Sequence, residues 1–211
     1  MKKIFSIVCL FSCLSFSMYA QENTTKILDK TAAIFEKSSG LQANYDVSIK
    51  KGAQHQGESR GDIYIKKNKF HIANADLLTW FDGTTQWLML KNSGEVNITN
   101  PTKEEIQSIN PYTFIYLYKK GYKASHTTST YNKRKCYDVK LVAQNKKAKM
   151  QQINVYIDQQ SYLPLYISLT DDRKVTTIVR LGQVKNNVNL KDSFFTFNPK
   201  DYPNIDIIDL R

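Results

Sequence analysis

The side chains of this sequence best suited to chemistry are three histidines, two pairs of adjacent carboxylates and three cysteines, and their spacing nominates no reaction. His55, His71 and His126 lie far apart, and none has a second ligand at the spacing a helical metal site requires. Asp171-Asp172 and Glu104-Glu105 are neighbours in the chain. Adjacent side chains on a strand or helix point apart, whereas acid–base work by two carboxylates needs them to converge. They read instead as a turn and a helix N-terminus. The sequence has no HExxH, CxxC, phosphate-cradling glycine loop or GxSxG elbow. No catalytic residue is nominated, an enzyme with a site assembled from dispersed residues stays open at this point, and no metal or cofactor motif is present.

The feature left to explain is aromatic. Tyr and Phe number 13 and 10, and many fall in candidate strands and in one candidate helix. The stretch Tyr112 to Tyr118 is apolar or aromatic nearly all round, so it needs apolar neighbours on more than one side. A wide apolar pocket would use such residues. A tight core would use them equally well, and composition alone leaves both open.

The elements that must position these residues begin after a leader. Met1-Lys2-Lys3 followed by an apolar run to Phe16 and Ser17-Met18-Tyr19-Ala20 reads as a cleavable signal peptide over residues 1–20, leaving one domain over 21–211. The run is too short to span a membrane comfortably. A lipidated Cys13 is the competing reading of the leader. Cys136 is the one cysteine beyond it, which excludes an internal disulfide in the mature chain. Losing Lys2 and Lys3 takes the formal charge from +11 to +9. Export argues against nucleic acid and favours an anionic membrane surface as partner. Many of the lysines cluster at predicted turns, where they hinder edge-to-edge strand pairing.

From Thr25 to Ser39 the apolar residues fall on one helical stripe, ending at Gly40 in the manner of a C-terminal cap. Leu41 to Ile49 then alternates with period two. Further strand signals run over Gly61 to Lys66, Phe70 to Ala73, Leu77 to Phe81, Thr85 to Leu90 and Glu95 to Thr99. Asp82-Gly83 marks a tight hairpin in which both residues would take positive φ. Thr102 with Glu105 forms a capping box for a helix over Lys103 to Ile109, and Asn110-Pro111 starts another that runs to Lys120. Strands resume over 123–130, 136–142, 150–157, 163–170 and 175–184. The pattern predicts an α+β fold in which helices cross one face of a large, strongly curved antiparallel sheet.

Gly61-Asp62-Ile63-Tyr64-Ile65-Lys66, Asp82-Gly83-Thr84-Thr85-Gln86-Trp87 and Phe195-Thr196-Phe197-Asn198-Pro199 resemble, in order and spacing, three motifs of the LolA family of outer-membrane lipoprotein carriers. The resemblance implies an incomplete antiparallel β-barrel with helices covering a concave apolar cavity. It also implies a periplasmic, monomeric, non-enzymatic carrier. Such a carrier receives acylated lipoproteins from an inner-membrane ABC-type releasing complex and delivers them to an outer-membrane acceptor or the outer membrane itself. Mapped onto this chain, the cavity and lid residues are expected to be Ile63, Ile65, Phe70, Phe81, Trp87, Phe114, Ile115, Leu117 and Tyr118. Where the family commonly has Arg-Pro this chain has Lys67-Asn68. Counting by twos from Gly61 puts Lys67 on the face of Ile63 and Ile65, where it would latch the lid more weakly than arginine. The rival readings are a sensor or binding domain of the same fold for acylated envelope proteins or free lipids, and a secreted enzyme on this scaffold.

Overall fold

In a computed structural model the chain is described over residues 24–102, 105–106 and 117–211. The expected leader and most of the expected insert helices, with Phe114 and Ile115, lie outside these residues. The described part has one long helix, α1, over 24–37. Its strands are β1 (Leu41–Lys51), β2 (Gln54–Lys66), β3 (Lys69–Asn74), β4 (Leu77–Phe81), β5 (Gln86–Leu90), β6 (Glu95–Thr99), β7 (Tyr122–Tyr131), β8 (Arg134–Ala143), β9 (Met150–Asp158), β10 (Pro164–Asp171), β11 (Val175–Asn186) and β12 (Asp206–Asp209).

All twelve join one long curved sheet that does not close, in the order β12-β6-β5-β4-β3-β2-β1-β11-β10-β9-β8-β7. Neighbours are antiparallel, apart from β12, which runs parallel to β6. The connection from Thr99 to Tyr122 therefore joins strands near the two ends of that order.

Alternation assigns the two faces. On one, Leu41 and Ala43 of β1 pair with Ile65 and Ile63 of β2, which pair with Phe70 and Ile72 of β3. Phe81 follows opposite Phe70, stacked at 5.0 Å. Val139, Val155, Ile167 and Val179 continue the same face through β8 to β11. The stripe Ile27, Leu28 and Phe35 of α1 packs into this core, each side chain contributing about 1.5–3 kcal/mol by leaving water. On the other face Trp80, Met89, Val96 and Ile98 form a smaller cluster closed by Phe197 from the C-terminal segment.

Two turns differ from expectation. Gly40 has no positive φ. A Cβ there would lie 2.4 Å from the Val188 carbonyl oxygen, so the glycine serves the close approach of the α1–β1 corner to the chain after β11. Of Asp82 and Gly83 only the glycine has positive φ. The hairpin is closed instead by the Asp82 carboxylate, which accepts from the Thr84 and Thr85 amides at 2.9 Å each, an Asx turn. The capping box forms as expected: the Thr102 amide donates to Glu105 at 2.7 Å and the Glu105 amide to Thr102 Oγ1 at 3.3 Å.

Candidate functional site

The apolar face carries a pocket of about 170 Å³ lined by Tyr45, Val47, Ser59, Ile63, Ile72, Val179 and Leu181. It sits where β1, β2, β3 and β11 are neighbours, beyond the stretch of β1 that starts below α1. Its volume is less than the roughly 300–1,000 Å³ of a pocket that buries a drug-sized ligand. A larger concavity, about 880 Å³, lies on the opposite face between Trp80, His71 and the segment 189–202. Asn189, Ser193, Asn198 and Asp201 share its lining with the aromatic rings, which suits it poorly to a purely apolar guest.

Polar contacts tie α1 to the β7–β10 half of the sheet. Thr24 Oγ1 and His126 Nδ1 share a hydrogen bond of 2.7 Å. Lys30 Nζ donates to the Tyr162 hydroxyl at 3.1 Å, and Thr31 Oγ1 to the Tyr162 carbonyl at 3.0 Å. Asp29 accepts from the Tyr118 hydroxyl, and from Lys119 Nζ at 3.2 Å. Burial, and then the bond to Asp29, push the Tyr118 hydroxyl up to about 12. The same bond holds the Asp29 carboxyl below the usual range. Tyr118 is thus a buried tether between α1 and the chain entering β7.

Of the residues expected to line the cavity, the structure brings Ile63, Ile65, Phe70, Phe81, Tyr118 and the half-buried Leu117 into one core with α1. Ile63 alone among them touches the pocket. Trp87 is on the other face. The four-residue turn at 82–85 sets Trp87 opposite Trp80 rather than Phe81, and Trp87 packs with the smaller cluster.

Lys67 does not share the face of the two isoleucines, because β2 ends at Lys66. It stands exposed at the hairpin tip with φ 57°. The fixed lysines are its neighbours. Lys66 Nζ donates to the Leu190 carbonyl at 2.7 Å and to Asp192 at 3.0 Å, and Lys69 pairs with Asp192 at 3.1 Å. Tyr45, Ser59 and Asp29 were missed. Tyr45 is legible as an alternating residue of β1, whereas nothing in the sequence marks the other two.

Among the described residues no group of His, Cys, Asp and Glu could hold a metal ion, and no helix is long and apolar enough to cross a membrane. His71, the buried imidazole, donates from Nδ1 to the Thr79 carbonyl at 3.0 Å among aromatic rings, a packing environment. An open curved sheet with an apolar core face, a helix packed into that face and an apolar pocket elsewhere on it has the form of a binding scaffold rather than of a catalytic site.

A family model described as outer membrane lipoprotein carrier protein LolA matches residues 14–173, and the chain belongs to that family. An uncharacterized protein of Methanocaldococcus jannaschii is 28% identical over 187 residues, which is 86% of this chain and 53% of the relative. The chain thus spans about half the length of that curated relative. The crystal structure of an uncharacterized conserved protein from Thermus thermophilus has the same fold, with a TM-score of 0.58 at 13% identity over 87% of this chain and 97% of that one. The Mycobacterium tuberculosis lipoprotein LppX is a more distant match, at TM-score 0.49 and 10% identity over 81% of this chain and 98% of that one.

Proposed function

We propose that the protein is a periplasmic carrier that shields lipoprotein acyl chains on the apolar face of the sheet and moves them from the inner to the outer membrane. The observation that carries this reading is the apolar pocket on the core face of the sheet in a chain of the LolA family. An ABC-type releasing complex supplies the cargo, and an outer-membrane acceptor or the membrane itself takes it.

Burying acyl chains is worth about 0.8 kcal/mol per CH₂. Full transfer of a lipoprotein's chains from water would exceed the roughly −18 to −21 kcal/mol at which non-covalent affinity saturates. The carrier instead exchanges chains with other apolar phases near balance, and a few kcal/mol of rearrangement sets direction.

Lys67 is the residue we assign to holding the cargo-free insert. Its hairpin tip lies beside the 82–85 turn, where Asn68 approaches Gly83. The same turn holds the start of the insert through Thr85 Oγ1, which donates to Asn100 at 3.1 Å. On this reading Lys67→Leu leaves capture intact and slows delivery to acceptor membranes. Identical release by both proteins removes the latch and leaves the carrier.

The test of the carrier itself is retention of a synthetic acylated lipopeptide against its unacylated form by the purified protein. Preferential retention of the acylated form, without hydrolysis, is expected. Equal retention, or lipid-ester turnover in proportion to protein, counts against it.

A further inference from the structure

One end of the apolar pocket is not apolar. Tyr45 and Ser59 belong to its lining, and Asn74 stands beside them on the same face: Tyr45 pairs with Gly61, and Gly61 with Asn74. Gly61 is a glycine because a Cβ there would lie 2.0 Å from the Ala73 carbonyl oxygen. With no side chain between them, Asn74 and Tyr45 reach each other across β2.

The orientation of the Asn74 amide is fixed. Its Oδ1 accepts from the backbone amides of Asp76 and Leu77 at 2.9 Å each. Its Nδ2 is therefore the end that faces the hydroxyls, donating to Tyr45 at 3.3 Å and to Ser59 at 3.1 Å. Both protons of that amide are then used.

Each hydroxyl still has its own proton, and the two oxygens are 3.5 Å apart. At most one proton can lie between them. Among the described residues the other has no acceptor, so the cluster presents an uncommitted O–H donor at the margin of an apolar pocket. A donor so placed is costly to leave unpaired once water is excluded.

Resting on the carrier reading, we infer that Tyr45, Ser59 and Asn74 form an anchor for the neutral carbonyl oxygen of an ester- or amide-linked acyl chain, whose methylenes lie along Ile63, Ile72, Val179 and Leu181. A carbonyl supplies the missing acceptor. A carboxylate or phosphate would also accept, but no cationic side chain lines the pocket, and a buried anion without one is strongly disfavoured. The pocket volume takes part of one chain, so the anchor sets the depth at which a chain enters.

The experiment compares binding of a diacyl lipopeptide with ester-linked chains to its ether-linked analogue of equal chain length, on wild type and on a Tyr45→Phe/Ser59→Ala double variant. A phospholipid ester and ether pair runs alongside. Wild type should bind the ester about three- to tenfold more tightly, the range of one net hydrogen bond. The double variant should bind both members of a pair equally, at the wild-type ether level.

An ester preference confined to the lipopeptide pair identifies lipoprotein as the source of the carbonyl, and a preference in both pairs extends it to diacyl lipids. Equal binding of ester and ether by wild type in both pairs overturns the anchor while leaving the carrier reading standing. Failure to bind any of the four overturns both.

Discussion

Asp158 shows how a single side chain holds a corner of this molecule. It closes the β9–β10 turn by accepting from the Gln160 and Ser161 amides and the Ser161 hydroxyl, at 3.1, 2.7 and 2.8 Å, and it pairs with Arg134 at 2.9 Å. Burial alone would raise its carboxyl, but the Ser161 bonds, Arg134 and Gln160 together hold it below the usual range. Asp158→Ala should cost about 2–3 kcal/mol in denaturant unfolding, less than a fully buried pair, because half-exposed Arg134 stays hydrated. A carboxyl lowered by folding stabilises the protein above the ordinary carboxylate range and loses that contribution as pH falls below about 4. The imidazoles act at higher pH. Burial lowers His71, against a smaller raising effect of the Thr79 carbonyl, and burial also lowers His126. The unfolded chain then binds more protons below about pH 6.5, and stability falls as pH drops from 7 to 5. His71→Phe should make that fall smaller, and an unchanged slope would count against the assignment. The sequence carries less at this scale. Phe70 and Phe81 share the face of Ile63 and Ile65, but the face of Trp87 depends on a turn length, and Lys67 sits one residue past the end of its strand.

At the scale of elements, the clasp of α1 makes a prediction of its own. Leu28 is fully buried in the core, and Leu28→Ala should cost about 2–5 kcal/mol. Tyr118→Phe is a milder change. It removes one hydrogen bond to Asp29, itself exposed enough to be rehydrated, and should cost about 1 kcal/mol. On the carrier reading it should also speed exchange of a fluorescent acyl ligand, because the tether between α1 and the chain entering β7 is weakened. Unchanged exchange rates with an intact fold would separate Tyr118 from gating. The elements themselves were largely legible, since Leu77–Phe81 and Glu95–Thr99 are bounded in the structure as alternation bounds them. The polar half of β2, Gln54 to Arg60, was not. It has no apolar alternation and is a strand only because β1 pairs with it. The short β12 was missed for the same reason, being exposed along its length and held by β6.

On the carrier reading, the decisive quantity for the whole molecule is the mismatch between pocket and cargo. The described pocket of about 170 Å³ is smaller than pockets that bury even a drug-sized ligand, roughly 300–1,000 Å³, so a carrier with this fold must open to load. The sheet cannot give that space from its core, where Val139, Leu141, Ile153, Val155 and Ile167 are fully buried against one another and close packing resists deformation. Space must come from what lies on the sheet. The polar clasps of α1 run to Tyr118, His126 and Tyr162, so its β7–β10 side is held, and on the side toward β1–β3 its stripe Ile27, Leu28 and Phe35 packs into the apolar core. Loading should therefore loosen α1 on that side while leaving β8–β10 unchanged. Hydrogen exchange of the free and the lipopeptide-loaded protein tests this. Faster exchange in residues 24–37 on loading, with unaltered protection in Val139 to Leu141 and Ile153 to Ile157, is the expected outcome. Slower exchange throughout α1 would mean that cargo enters without displacing the helix. The chains would then have to be held against the segment between β6 and β7.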